Sequence, residues 1–72
     1  MSPEKMVRMA NQIATFFESQ PDADKALRVA EHLVEFWEPR MLAKLDAHVA
    51  IGGEGLSALA LDGSKRALNK AA

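Results

Sequence analysis

The sequence predicts an all-α fold, a single domain built as a small bundle of three to four short helices. Three observations carry that reading. Apolar residues recur at three- and four-residue steps, the spacing of one helix face, and no stretch alternates in the manner of a strand. Prolines and paired glycines stand at the joints between these periodic segments, where they stop or start helices. Hydrophobic residues make up 49% of the chain but aromatics only 6%, and much of the apolar content is alanine, which favours helix and buries little surface per residue.

Ser2-Pro3-Glu4 reads as the first helix start: a hydroxyl for an orphan N–H, a proline suited to the first helical position, and an acid at the positive end of the dipole. Met6, Met9, Ala10, Ile13, Phe16 and Phe17 then mark one face, and the helix should end near Ser19-Gln20, because Gln20 precedes Pro21. Asp22 or Asp24 caps the second helix, whose stripe is Ala26, Leu27, Ala30, Leu33, Val34 and Trp37, with Val29 and Phe36 beside it. That face is wider than a two-helix contact needs, so this helix is expected to be touched from two sides.

Pro39 forces a turn at Glu38 and can open the third helix at its own position. Met41, Leu42, Leu45, His48 and Val49 keep helical spacing until Gly52-Gly53, the residues best able to take a left-handed cap. Ser57 can cap a last segment holding Leu59, Leu61 and Leu68, and Asp62-Gly63-Ser64 interrupts it with turn chemistry, so either a short helix ends there or a weak helix runs through it. The expected division is therefore a helical domain over 1–63 and a basic, frayed tail over 64–72 containing Lys65, Arg66 and Lys70.

Composition narrows the function classes. There is no cysteine, so disulfides and thiolate metal sites are closed, and a reducing compartment is the natural setting. A formal net charge of −1 gives no basic field for gripping phosphate backbones, so nucleic acid is not an expected partner. The segment Met1 to Met6 lacks the pattern of a signal peptide, and no apolar run approaches the roughly 20 residues that cross a bilayer. A cytoplasmic protein without membrane contact is expected. A chain this short buries little core and tends to need a partner.

The chemistry-bearing constellations mostly have plain readings. His32 and Glu35 lie one turn apart, but a di-iron bundle wants Glu before His on two helices, and zinc wants three or four ligands. A solvated helix face accounts for them. Glu31, Glu35 and Glu38 form an acidic row that is either solvated or met by a basic partner. Gly52-Gly53-Glu54-Gly55 lacks the Lys-Ser or Lys-Thr of a Walker loop and the preceding strand of a dinucleotide fingerprint, so it reads as a helix-ending hairpin. Serines 2, 19, 57 and 64 sit at predicted ends or turns, as caps rather than nucleophiles. Neither a metal, a cofactor nor a catalytic residue is expected on this chain. The candidate partner-binding residues are Phe36, Trp37 and Arg40 at the corner, with Glu54 in the glycine turn; large aromatics and arginine are the types that most often anchor interfaces.

Three blocks together resemble one known family: Met6-Val7-Arg8-Met9-Ala10-Asn11-Gln12-Ile13-Ala14 with Phe16-Phe17; Phe36-Trp37-Glu38-Pro39-Arg40-Met41; and Leu45-x-Ala47-His48-x-x-x-Gly52-Gly53-Glu54-Gly55-Leu56. The chain is similar there, over roughly 6–56, to the delta subunit of NAD-dependent, molybdenum-containing formate dehydrogenase. The resemblance implies a non-catalytic role in a soluble complex. Its other subunits carry bis-molybdopterin guanine dinucleotide, iron-sulfur clusters and FMN, and oxidise formate to carbon dioxide with reduction of NAD. It implies docking on the large catalytic subunit, to stabilise the complex or help assemble it. Two rival expectations are a transient assembly chaperone for molybdenum cofactor insertion and a freestanding small helical regulatory module.

Overall fold

The computed structural model describes residues 2–71, with side chains as far as Asn69. Among them are four helices and no strand: α1 (Pro3–Glu18), α2 (Lys25–Phe36), α3 (Pro39–Ala50) and α4 (Ala58–Ala71). Each start has the chemistry its sequence predicts. Ser2 Oγ accepts from Lys5 N–H at 3.2 Å ahead of Pro3, Asp24 Oδ1 accepts from Leu27 N–H at 3.2 Å, and Ser57 Oγ accepts from Ala60 N–H at 3.2 Å. α3 opens on Pro39 behind an extended Glu38 and has no side-chain cap.

The core is narrow. Leu33, Leu45 and Val29 are its largest fully buried side chains, joined by Met6, Leu42, Trp37 and a set of alanines from α1, α2 and α4. Alanine-lined faces let helices approach closely, and the most extensive helix pairing is α2 with α4. The contact face of α4 is a row of small residues, Ala60, Gly63, Ser64 and Ala67, all buried. α2 is also contacted by α1, which matches the expectation of two-sided packing.

Of the two readings open at Asp62-Gly63-Ser64, the continuous helix is the one found: the three residues lie within α4, which runs on to Ala71, and Ser64 and Ala67 are fully buried. The boundary at 63/64 is therefore no break in the helix, because the small residues that read as a turn are those that allow α4 to seat on α2. Of the expected tail, Ala72 and the side chains of Lys70 and Ala71 lie outside the described residues, as does Met1. One expectation is corrected on α2, where Val29 occupies the buried face, while Leu27 and Val34, placed on the stripe by spacing, are 37% and 38% exposed.

Ion pairs reinforce the α2–α4 pairing at its surface. Arg66 Nη1 reaches Asp24 Oδ2 at 2.7 Å and Oδ1 at 2.9 Å, and its Nε lies 3.3 Å from Asp62 Oδ1. The hydrogen bond from Arg66, and next that from Leu27 N–H, hold the Asp24 carboxyl below its ordinary pKa. Since both partners are solvent-exposed, the pair fixes geometry more than it adds stability.

Ser64 brings a cost into the interface, since its Oγ is buried with no hydrogen-bond partner among the described residues. Ser64→Ala is expected to raise unfolding free energy by about 1 kcal/mol, by removing an unsatisfied hydroxyl and improving helix propensity. The urea midpoint followed by circular dichroism tests this. A loss of similar size would mean that the hydroxyl turns back onto the carbonyl of Ala60, four residues earlier.

Candidate partner-binding surface

α1 and α2 together build an open apolar hollow. Met9, Ile13, Phe16 and Phe17 supply the α1 wall, His32 and Phe36 the α2 wall, and Trp37 and Gln12 complete the lining. The rings run as a chain: Phe16 to Phe17 at 5.1 Å between centroids and nearly perpendicular, Phe17 to His32 at 6.0 Å, and His32 to Phe36 at 4.6 Å. The first two pairs meet edge to face and the third is tilted at 36°, contacts that hold one another's orientation. Trp37 is packed into the core at 8% exposure, while Phe16 and Phe36 remain 59% and 65% exposed. Large apolar side chains left half in water around a packed base are what an interface covers.

Trp37 reaches this position because it ends α2. Its N–H still bonds Leu33 O at 2.9 Å, but its own backbone is extended (φ −89°, ψ 135°), as is that of Glu38 before Pro39. The corner read from the sequence is therefore real, and the four candidate residues, three at the corner and Glu54 in the glycine turn, fall in different places. Phe36 and Trp37 share the hollow. Arg40 stands exposed in the first turn of α3, in no ion pair among the described residues, and does not line it. Glu54 is exposed in the α3–α4 turn, beside Pro3, Glu4, Val7 and His48.

That turn is tightly bound internally. Gly52 N–H donates to Val49 O at 3.0 Å and Gly53 N–H to His48 O at 2.9 Å, the paired bonds of a Schellman cap, with φ of +116° and +65°. His48 Nε2–H donates to Glu54 O at 2.7 Å, a tautomer required because a carbonyl only accepts. Asn11, in the middle of α1, grips the far side: its Nδ2 donates to Gly55 O and its Oδ1 accepts from Ser57 N–H, both at 2.9 Å. With the amides of Gly52, Gly53, Leu56 and Ser57 spent on internal acceptors, the turn does not fit a phosphate cradle. Among the described residues no three of His, Asp and Glu gather as metal ligands. No described helix is long and apolar enough to cross a membrane.

Sequence reasoning missed two features. His32 is half-buried between Phe17 and Phe36 rather than on a solvated face, and the signal was available in the i, i+4 spacing of His32 and Phe36. Asn11 is the second: an amide in the middle of α1 gives no local sign of its task, because its partners lie 44 and 46 residues away. Asn11→Ala is expected to cost about 1–2 kcal/mol and to speed hydrogen exchange at the Ser57 amide. Unchanged exchange there would show that water replaces the clamp without loss.

The fold and this surface define a class: a small, cysteine-free, all-helical domain with an apolar recess on one side and a rigid glycine turn elsewhere. The chain belongs to the family described as NADH-dependant formate dehydrogenase delta subunit FdsD, whose model matches residues 5–63. That span takes in α1 from Lys5 onward, α2, α3, the glycine turn, α4 as far as Gly63, and all four candidate residues. Membership makes the protein a delta subunit of a formate dehydrogenase complex and implies association with other subunits. No curated protein and no solved structure matches the chain.

Proposed function

We propose that the chain is a non-catalytic accessory subunit that docks on the large catalytic subunit of a cytoplasmic, NAD-dependent formate dehydrogenase and stabilises the complex or assists its assembly. The family match over 5–63 carries this reading. The half-exposed aromatic hollow supports it, since a domain with so small a core gains from a partner that covers such a surface. In this reading the molybdenum cofactor, iron-sulfur clusters, FMN and NAD are held by the other subunits, and neither nucleic acid nor membrane takes part. The absence of cysteine leaves this chain without thiolates for a cluster.

Purification of the tagged chain from its own cell tests the reading. A permanent subunit comes down with the active, cofactor-loaded enzyme at fixed stoichiometry. Recovery only with cofactor-free catalytic subunit would replace the reading with a transient chaperone, and recovery with no dehydrogenase subunit would end it. Arg40, exposed and in no ion pair among the described residues, is a second contact candidate outside the hollow. Arg40→Ala is expected to weaken complex formation by about 1–3 kcal/mol without changing the helical content of the free chain. Calorimetric affinity equal to the parent's would leave the hollow as the docking face.

A further inference from the structure

We infer that the α1–α2 hollow receives an amphipathic helix of the partner, with an apolar stripe that enters between Phe16 and Phe36 and lysine or arginine residues flanking that stripe on the α2 side. This rests on the subunit reading above and adds the chemistry of the occupant. A groove between two helices, with no sheet edge among the described elements, suits a helix rather than an added strand. Along α1 the lining runs from Met9 to Phe17, roughly 12 Å at 1.5 Å per residue, which matches two turns of an opposing helix with anchors at i, i+4 and i+7.

Charge selects the flank. On α2, Glu35 stands three residues after the wall residue His32 and four after Glu31, so these two carboxylates flank the wall on one side, and Glu38 lies past Trp37 at the start of α3. Arg28 engages Glu31 at 3.2 Å, whereas Glu35 and Glu38 are exposed and in no ion pair among the described residues. Among the described residues no lysine or arginine lines the hollow, and Arg8 of α1 lines a separate recess with Val7 and Asn11. A basic flank would therefore meet uncompensated carboxylates, which sets orientation and partner choice.

The chain has one tryptophan, Trp37, and it lines the hollow, so its fluorescence reports occupancy. The probes are two synthetic helical peptides with the same leucine stripe, one flanked by lysine and one by glutamate. The lysine peptide is expected to shift Trp37 emission and to bind the full chain at least tenfold more tightly; Glu35→Lys with Glu38→Lys should reverse that preference. Phe36→Ser should abolish binding while circular dichroism stays unchanged. Equal binding of the two peptides, or binding that survives Phe36→Ser, would overturn the inference. So would a concentration-dependent dimer in sedimentation that Phe36→Ser dissolves, which would assign the hollow to a second copy. Co-purification of the Phe36→Ser chain separates the two claims: retention of all dehydrogenase subunits at parental level overturns the hollow's role and leaves the subunit reading standing.

Discussion

Trp37→Ala is expected to remove most of the stability of the isolated chain. Truncating a packed tryptophan costs about 3–5 kcal/mol through lost burial and the cavity left behind. A domain of 72 residues has on the order of 4–10 kcal/mol in all, at roughly 0.05–0.15 kcal/mol per residue. Trp37 packs with Leu33, Leu42 and Leu45 in one cluster whose other members are largely alanine, so little else nearby can collapse to fill the space. Urea unfolding followed by circular dichroism should show a strongly lowered or absent transition, with Trp37→Phe in between. A loss below about 1 kcal/mol would show that Trp37 serves the surface alone. Because the same side chain forms part of the hollow, binding data on Trp37→Ala confound unfolding with docking, whereas Phe36, 65% exposed, reports docking cleanly.

Gly63→Ala should also be strongly destabilising, against the usual direction. In an isolated helix the change would stabilise by about 1 kcal/mol. Here an added Cβ would sit 2.6 Å from Val29 Cβ, nearer still to Val29 Cγ1, and 3.3 Å from Ala26 O. A β-branched residue inside a helix has almost no rotamer to retreat to, so the two helices must part. We expect a net loss of about 2 kcal/mol or more, at the upper end of what overpacking costs. Val29→Ala in the same chain should recover part of it, giving a coupling of about 1 kcal/mol or more in a double-mutant cycle. A Gly63→Ala chain as stable as the parent would mean that α4 does not seat on α2 at this distance.

How much of this was legible differs between local and long-range features. Ser2, Asp24, Pro39, Ser57 and Gly52-Gly53 announce helix ends within three or four residues of themselves, and each performs the predicted task. Gly63 misleads for the same reason: glycine beside aspartate and serine signals a turn locally, and only the surface of α2 reveals it as a point of close approach. Leu27 and Val34 satisfy helical spacing, yet spacing does not say that α4 centres its contact on Val29. At the candidate site, Phe36 and Trp37 are neighbours in sequence and were found, whereas their union with Phe16 and Phe17 depends on how α1 lies along α2. Arg40 and Glu54 were grouped with them by residue type, and type carries no position.

The dominance of the α2–α4 pairing has a consequence for the order of events during synthesis. Ala26 and Ala60 are separated by about 34 residues, so at typical elongation rates the face of α2 that α4 will cover is exposed for roughly two to seven seconds after it is made. The Asn11 clamp waits longer still, since its acceptor and donor at Gly55 and Ser57 appear long after α1. Helices form in microseconds or less, but at 12 residues α2 and α3 are marginal without tertiary contacts, so through this interval they form and dissolve repeatedly before the core is complete. The nascent protein thus passes through a stage in which Val29 and Leu33 are still uncovered, and a partner present at the ribosome would compete with α4 for them.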